Sequence, residues 1–215
     1  MLAMAQLNID ITTSLDGFVA GPNQSPDNPL GEGAGSLHDW AFQTAAFRAA
    51  HGGEGGETGP DDDLARELQT RYGAEIMGRN KFGGGPGPWD PDEPWNGWWG
   101  DDPPFPHPVF VLTHHAREPL TLGRTTFTFV TDGIESALEQ ARAAAGERDV
   151  LIGGGASACR QYLAAGLVDE LLIHVAPLLL GDGERLFDGT GTGKLEQLQV
   201  VESPRATHLR YRVLR

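Results

Sequence analysis

The octapeptide Val150-Leu151-Ile152-Gly153-Gly154-Gly155-Ala156-Ser157 limits the possible folds more than any other stretch. Three apolar residues with strand propensity run into three glycines, and residues 156–165 then have helix-forming composition. An apolar run that feeds a helix through a tight glycine turn is the core of a parallel β-α unit, in which helices cover the sheet. The same alternation recurs elsewhere. In Leu7–Ser14, Leu7, Ile9 and Ile11 alternate with Asn8, Asp10 and Thr12, which predicts a strand. Residues 75–77 read as a short strand ending at Gly78, and Val109–Leu112 as one buried on both faces. Residues 125–131 form another, with the alanine-rich helix Ile134–Ala145 behind it. Residues 171–176 are again apolar, and two late strands at 195–201 and 208–214 have no helix between them. The chain therefore predicts one α/β domain with a mostly parallel sheet and an antiparallel C-terminal part.

Between these elements lie irregular stretches, consistent with 30 glycines and 15 prolines in 215 residues. Ser36 is a candidate N-cap for a helix over 37–50, and Asp61-Asp62-Asp63 suits the start of a short helix over 64–72. Residues 82–108 hold Trp89, Trp95, Trp98 and Trp99 among eight prolines and five acidic residues. No regular element accommodates that composition, so the segment is an aromatic-anchored loop. It leaves the strand ending at Gly78-Arg79, which puts Trp89 or Trp95 in candidate positions beside a ligand there.

Charge narrows the partners. With 16 basic and 30 acidic residues the net charge is −14, and such a field repels nucleic acid and anionic membrane alike. A small anion remains acceptable wherever arginine, lysine or backbone N–H groups cluster. One cysteine, Cys159, rules out an internal disulfide and multi-cysteine metal sites. Residues 1–6 lack the features of a signal peptide, and no apolar run is long enough to span a bilayer, so the expectation is a soluble, cytoplasmic protein.

Two local motifs suit an anion. Glycines 153–155 allow close backbone approach, and the helix start behind them presents N–H groups that favour negative charge. A plain tight turn explains the same residues. The position so late in the chain, with Asp169-Glu170 before the next strand instead of ending it, excludes an ordinary dinucleotide fold. Arg79, after the strand at 75–77, has a guanidinium fork that matches phosphate, though a solvated surface arginine is the commoner explanation of such a residue. Near misses fail on geometry: residues 189–194 lack the first Gly and final Ser/Thr of a phosphate loop, and His114-His115 point to opposite sides of an extended chain.

Taken together, four motifs resemble the dihydrofolate reductase-like family that includes the C-terminal reductase domain of the bifunctional riboflavin-synthesis enzyme. They are Ser14-Leu15-Asp16-Gly17, Met77-Gly78-Arg79, Gly153-Gly154-Gly155-Ala156, and Gly166-Leu167-Val168-Asp169-Glu170 leading to Pro177–Gly183. The resemblance runs over nearly the whole chain and implies a homodimer that uses NADPH as hydride donor to a small-molecule substrate. Carried over, Gly78 and Arg79 would meet the cofactor phosphates, and Gly153, Gly154, Gly155, Ala156 and Ser157 would hold the pyrophosphate. Thr113 and His114 would lie near the adenosine 2′-phosphate, and Thr13, Ala20 and Gly21 would border the nicotinamide. Lys81 stands where the family commonly has threonine, either as a phosphate-binding charge or facing solvent.

Reduction of a C=N or C=O bond also needs a proton source. In the true dihydrofolate reductases an acidic residue on the first helix orients the pterin, and the resemblance implies that this residue would be Asp39 here, between His38 and Trp40. Asp39 equally suits a helix start, where the dipole favours a carboxylate. Two functions follow: an NADPH-dependent reductase of a pterin- or pyrimidine-like heterocycle, or an NADP-binding regulatory or accessory protein without catalysis. No metal site is expected.

Overall fold

The computed structural model describes residues 5–25 and 27–215, so the reading of the first four residues lies outside the described part. A nine-stranded sheet runs through the molecule. Its parallel heart is β8 (Glu170–Ala176), β1 (Leu7–Ser14), β7 (Asp149–Ile152), β3 (Tyr72–Gly78), β4 (Val109–Leu112) and β6 (Thr125–Val130), in that order. Antiparallel strands close both edges: β11 (Thr207–Leu214) and β10 (Lys194–Glu202) beside β8, and β5 (Leu120–Leu122) beside β6. A two-residue strand, β9 (Glu184–Arg185), pairs with β2 (Phe18–Ala20) outside the sheet. No helix among the described residues is long and apolar enough to cross a membrane.

Helices α5 (Ile134–Ala145) and α6 (Ala156–Ala164) cover one face, where Leu7, Ile9, Ile76, Phe110 and Ile152 form the main core with Leu138 and Tyr162. On the other face lie α1 (Asp39–Phe42), α2 (Ala45–Ala50) and α3 (Pro60–Arg71). The expected single helix over 37–50 is therefore two. Its start has no side-chain cap at His38, and Thr44 interrupts it: the extended Thr44 accepts the Phe47 N–H and begins α2 afresh. Residues 43–45 bond instead to Glu57, whose N–H and carbonyl reach Gln43 and Ala45. Pro60 opens α3, where its missing N–H costs nothing.

The tryptophan loop takes the place of a helix over β4 and β6. After α4 (Arg79–Phe82), it lays Trp89, Trp95, Trp99 and Phe105 onto Val109, Val111, Phe127 and Phe129. Three indoles also donate to main-chain carbonyls: Trp89 to His115 (2.8 Å), Trp95 to Phe82 (2.8 Å) and Trp98 to Lys81 (2.9 Å). Gly84 has φ +82°, and a side chain there would press into the Trp95 ring, so the glycine run is what lets the indoles approach.

The alternation in β1 does not mark a solvent face. Asn8 and Thr12 are buried, because β1 is central and α1 and α3 cover its polar side. That polar layer is part of the site.

Candidate active site

A cleft of about 750 Å³ opens at the carboxyl ends of β1, β3, β4 and β7. The chain order reverses here, since β3 and β4 extend one way from β1 and β8 lies on its other side. Open α/β sheets bind ligands in such crevices.

The glycine loop forms one wall. Gly78 donates to the Gly154 carbonyl (2.8 Å), and Gly153 donates to that of Ile76 (3.1 Å), so the loop is strapped to the end of β3. A Cβ on Gly153 would collide with the Glu75 carboxylate and the Lys81 ammonium. Gly155 is different: nothing lies within 4 Å of where its Cβ would be. It is the N-cap of α6 and provides no side-chain acceptor, which leaves the first helical N–H groups, at Ala156 and Ser157, for a ligand in the cleft.

Arg79, Thr113 and His114 lie together at the β4 end of the cleft. The Arg79 guanidinium stacks on Trp89, 3.2 Å from the ring centroid, and donates to the carbonyls of Gly83 (2.9 Å) and Gly84 (3.0 Å). It also donates, at 3.4 Å each, to the Gly87 carbonyl and the Thr113 hydroxyl. Arg117 sits over the same indole at 5.0 Å. Burial, and for Arg79 the charge of Arg117, holds both guanidinium pKa values below their ordinary range. Among the described residues neither forms an ion pair, although carboxylates outnumber cations almost two to one.

Lys81 also lines the cleft, but its ammonium is engaged by Glu75 (2.7 Å) and the Gly153 carbonyl (2.9 Å). Ala20 lines the cleft; Thr13 and Gly21 do not. Thr13 is buried within β1, and Gly21 is held against the Glu32 backbone. Asp39 is not brought to the cleft either. One residue along a helix turns the side chain by about 100°, so His38 and Trp40 face inward while Asp39 contributes its charge near Arg205.

The cleft has other protonatable groups. Asp10 and His174 line it, and Asp10 Oδ1 lies 2.8 Å from His174 Nε2. The Trp40 ring lies tilted against His174 with centroids 4.0 Å apart, its N–H satisfied by the Thr12 hydroxyl at 2.9 Å. His38 has a buried Nδ1 without a partner, and burial, reinforced by the charges of Lys81 and His174, lowers its pKa to about 4. Phe42, Phe47, Phe105 and Trp99 supply aromatic surface along the same chamber.

A scan against protein families matches residues 5–209 to the RibD C-terminal domain. The chain belongs to that family. It is accordingly a reductase-type enzyme. Among solved structures, a riboflavin biosynthesis protein from Shewanella sp. PV-4 aligns over 98% of this chain and 99% of its own, with 21% identity and a TM-score of 0.63. The deaminase/reductase of Thermotoga maritima aligns over 98% of this chain at 14% identity and TM-score 0.58; the chain spans 57% of its length. A dihydrofolate reductase from Enterococcus faecalis, complexed with NADP(H), aligns over 99% of both chains at 13% identity and TM-score 0.52. These likenesses establish the dihydrofolate reductase-like fold. No curated protein matches the sequence.

Within this RibD C-terminal-type domain, sequence reading missed Asp10, His174 and the Glu75 partner of Lys81. A signal for the first two was present. A carboxylate in the first strand and a histidine in an otherwise apolar run are out of place in a doubly covered parallel sheet, once both strands are known to be central.

Proposed function

We propose that the protein is an NADPH-dependent reductase that transfers hydride to a small pterin- or pyrimidine-like heterocycle. The observation that carries this is the uncapped N-terminus of α6, opening beside glycines with room for a close phosphate approach, in the same cleft as Arg79, Thr113 and His114. Gly78 and Gly153–Ser157 would hold the pyrophosphate, with Thr113, His114 and Arg79 toward the 2′-phosphate. Bound there, the dihydronicotinamide would supply the hydride. The aromatic chamber suits a flat heterocycle, and Asp10 with His174 gives a source of protons, which favours catalysis over cofactor binding alone. Asp39, outside the cleft lining, is not needed in that role.

Assembly as a homodimer belongs to this reading. Leu195, Val200 and Leu214 on β10 and β11 are 46–49% exposed at a sheet edge that a second copy would cover. A cytoplasmic location fits a single unpaired cysteine.

Thermal denaturation with each dinucleotide tests the cofactor. NADPH at about 100-fold over its dissociation constant should add about 2.7 kcal/mol of stability, and NADH at the same concentration clearly less. Equal shifts would refute the 2′-phosphate assignment. Loss of reduced-nicotinamide absorbance with a panel of pterins and pyrimidines then tests turnover.

A further inference from the structure

We propose that Asp10, His174, His208 and Asp61 form a proton relay that links the molecular surface to the cleft, with Asp10 as its delivering end. The use of the proton rests on the reductase reading above. Three contacts connect the four groups. Asp10 Oδ1 lies 2.8 Å from His174 Nε2, His174 Nδ1 lies 2.6 Å from His208 Nδ1, and His208 Nε2 lies 2.9 Å from Asp61 Oδ1.

Proton counting makes this arrangement informative. Each contact needs one proton, so three are required. Two neutral imidazoles provide two, and two carboxylates provide none. The chain with all contacts satisfied therefore holds one further proton and carries a net charge of −1. With only two protons, two lone pairs face each other across one short contact. That repulsion, in a poorly solvated interior, drives uptake of the third.

The relay is sealed in the middle and borders a cavity at each end. His174 and His208 are 2% and 1% exposed, and Trp40 covers both, with centroids 4.0 and 5.0 Å away. Asp10 lines the main cleft. Asp61 lines a second cavity of about 150 Å³ beside Glu57 and Arg205, on the other side of Trp40. Other titratable groups face the chain from the surrounding elements: His38 at the start of α1, Tyr72 of β3 near Asp10, and Arg205 beside Asp61. Burial and the nearby His174 lower the His208 pKa against the pull of Asp61 and Asp10, which keeps a proton on that ring transferable. Stability alone gives no reason for such a layer, since apolar residues of similar volume are often at least as stabilising as buried charges.

A single shift moves one proton through the chain. Asp61 protonates His208 Nε2, the His208 Nδ1 proton passes to His174 Nδ1, and the His174 Nε2 proton passes to Asp10. When hydride reaches carbon, the electron pair left on the neighbouring nitrogen or oxygen forms its new bond to the Asp10 proton. Asp10 returns to carboxylate and the chain is one proton short; water supplies that proton, and the rings return to their starting tautomers before the next shift.

The test uses the full chain with 15N-labelled histidines, followed by NMR across pH in wild type, Asp61→Asn and Asp61→Glu. The relay predicts a common titration midpoint for His174 and His208. It also predicts that Asp61→Asn shifts the ring nitrogens of His174, which Asp61 does not touch, while Asp61→Glu restores them. Independent midpoints, or a response confined to His208, would overturn it. Asp10→Asn, read at His208, makes the same measurement from the other end should Asp61→Asn fail to fold. With a pterin or pyrimidine that supports NADPH oxidation, Asp61→Asn should lower kcat roughly tenfold or more and leave KM within about twofold; an unchanged kcat overturns proton delivery. Failure of NADPH to be oxidised at all counts against the reductase reading, and the NMR coupling still decides the relay.

Discussion

Lys81 Nζ lies 2.7 Å from Glu75 Oε1 and 2.9 Å from the Gly153 carbonyl, so one ammonium ties β3, α4 and the glycine loop together. Burial alone would raise the Glu75 carboxyl pKa, but Lys81, with His107 at 3.6 Å, outweighs it and holds the group below the ordinary carboxylate range. The lysine that looked like a phosphate ligand or a surface charge is a strut under the loop.

Lys81→Met should therefore act first on stability. It leaves the Glu75 carboxylate buried without its cation, at a cost of about 3–5 kcal/mol. Lys81→Met combined with Glu75→Leu should recover much of that loss in urea denaturation. A single variant with wild-type stability and weakened NADPH binding would return Lys81 to the phosphate.

Gly153→Ala should destabilise through the same contact, because the new methyl group displaces the Glu75–Lys81 pair. The expected loss is about 1–3 kcal/mol, as for other overpacked sites. Differential scanning calorimetry would show it, and an unchanged transition would mean the loop relaxes freely.

Arg79→Ala removes a guanidinium from the candidate phosphate end. Losing a charge-assisted contact costs on the order of 1.5–3 kcal/mol, or roughly a tenfold to hundredfold weaker NADPH by calorimetry. The NADH affinity should change less. Equal losses for both cofactors would mean that Arg79 acts by holding the tryptophan loop, through Trp89 and the Gly83 and Gly84 carbonyls.

Bound NADPH should quench tryptophan fluorescence through Trp98 and Trp99, which line the cleft, and not through Trp89 or Trp95, which do not. Trp99→Phe should remove part of the quench, whereas Trp95→Phe should leave it. The reverse pattern would put the cofactor on the outer side of the loop.

Acid should destabilise the fold through His38. Its pKa is lowered to about 4 in the folded chain, so between its ordinary value near 6.5 and pH 4 the unfolded chain binds a proton that the folded chain does not. Stability is then complete above pH 6.5 and falls as pH drops through that window. His38→Phe should flatten the decline in denaturant midpoint over that range; an identical slope would assign the acid sensitivity to other groups.

Sequence alone determined the local elements that are set by short-range patterns. Leu7–Ser14, Val109–Leu112 and Ile134–Ala145 have the bounds their periodicity predicts, and the glycine turn into α6 follows from residues adjacent in the chain. Resemblance extended that to the family and fold. What only the tertiary structure decided are the partnerships of residues far apart in sequence. Whether Asp10 is a surface residue or part of a buried polar layer depends on which strands flank β1 and which helices cover it. His174 and His208 meet because β8 and β11 pair antiparallel with those two residues opposite each other. Asp39 and Trp40 are neighbours in the chain, yet helix geometry sends one outward and the other over the two histidines. A periodicity records which residues share a face; it carries no information about what that face meets, and the chemistry of this site is made by what meets there.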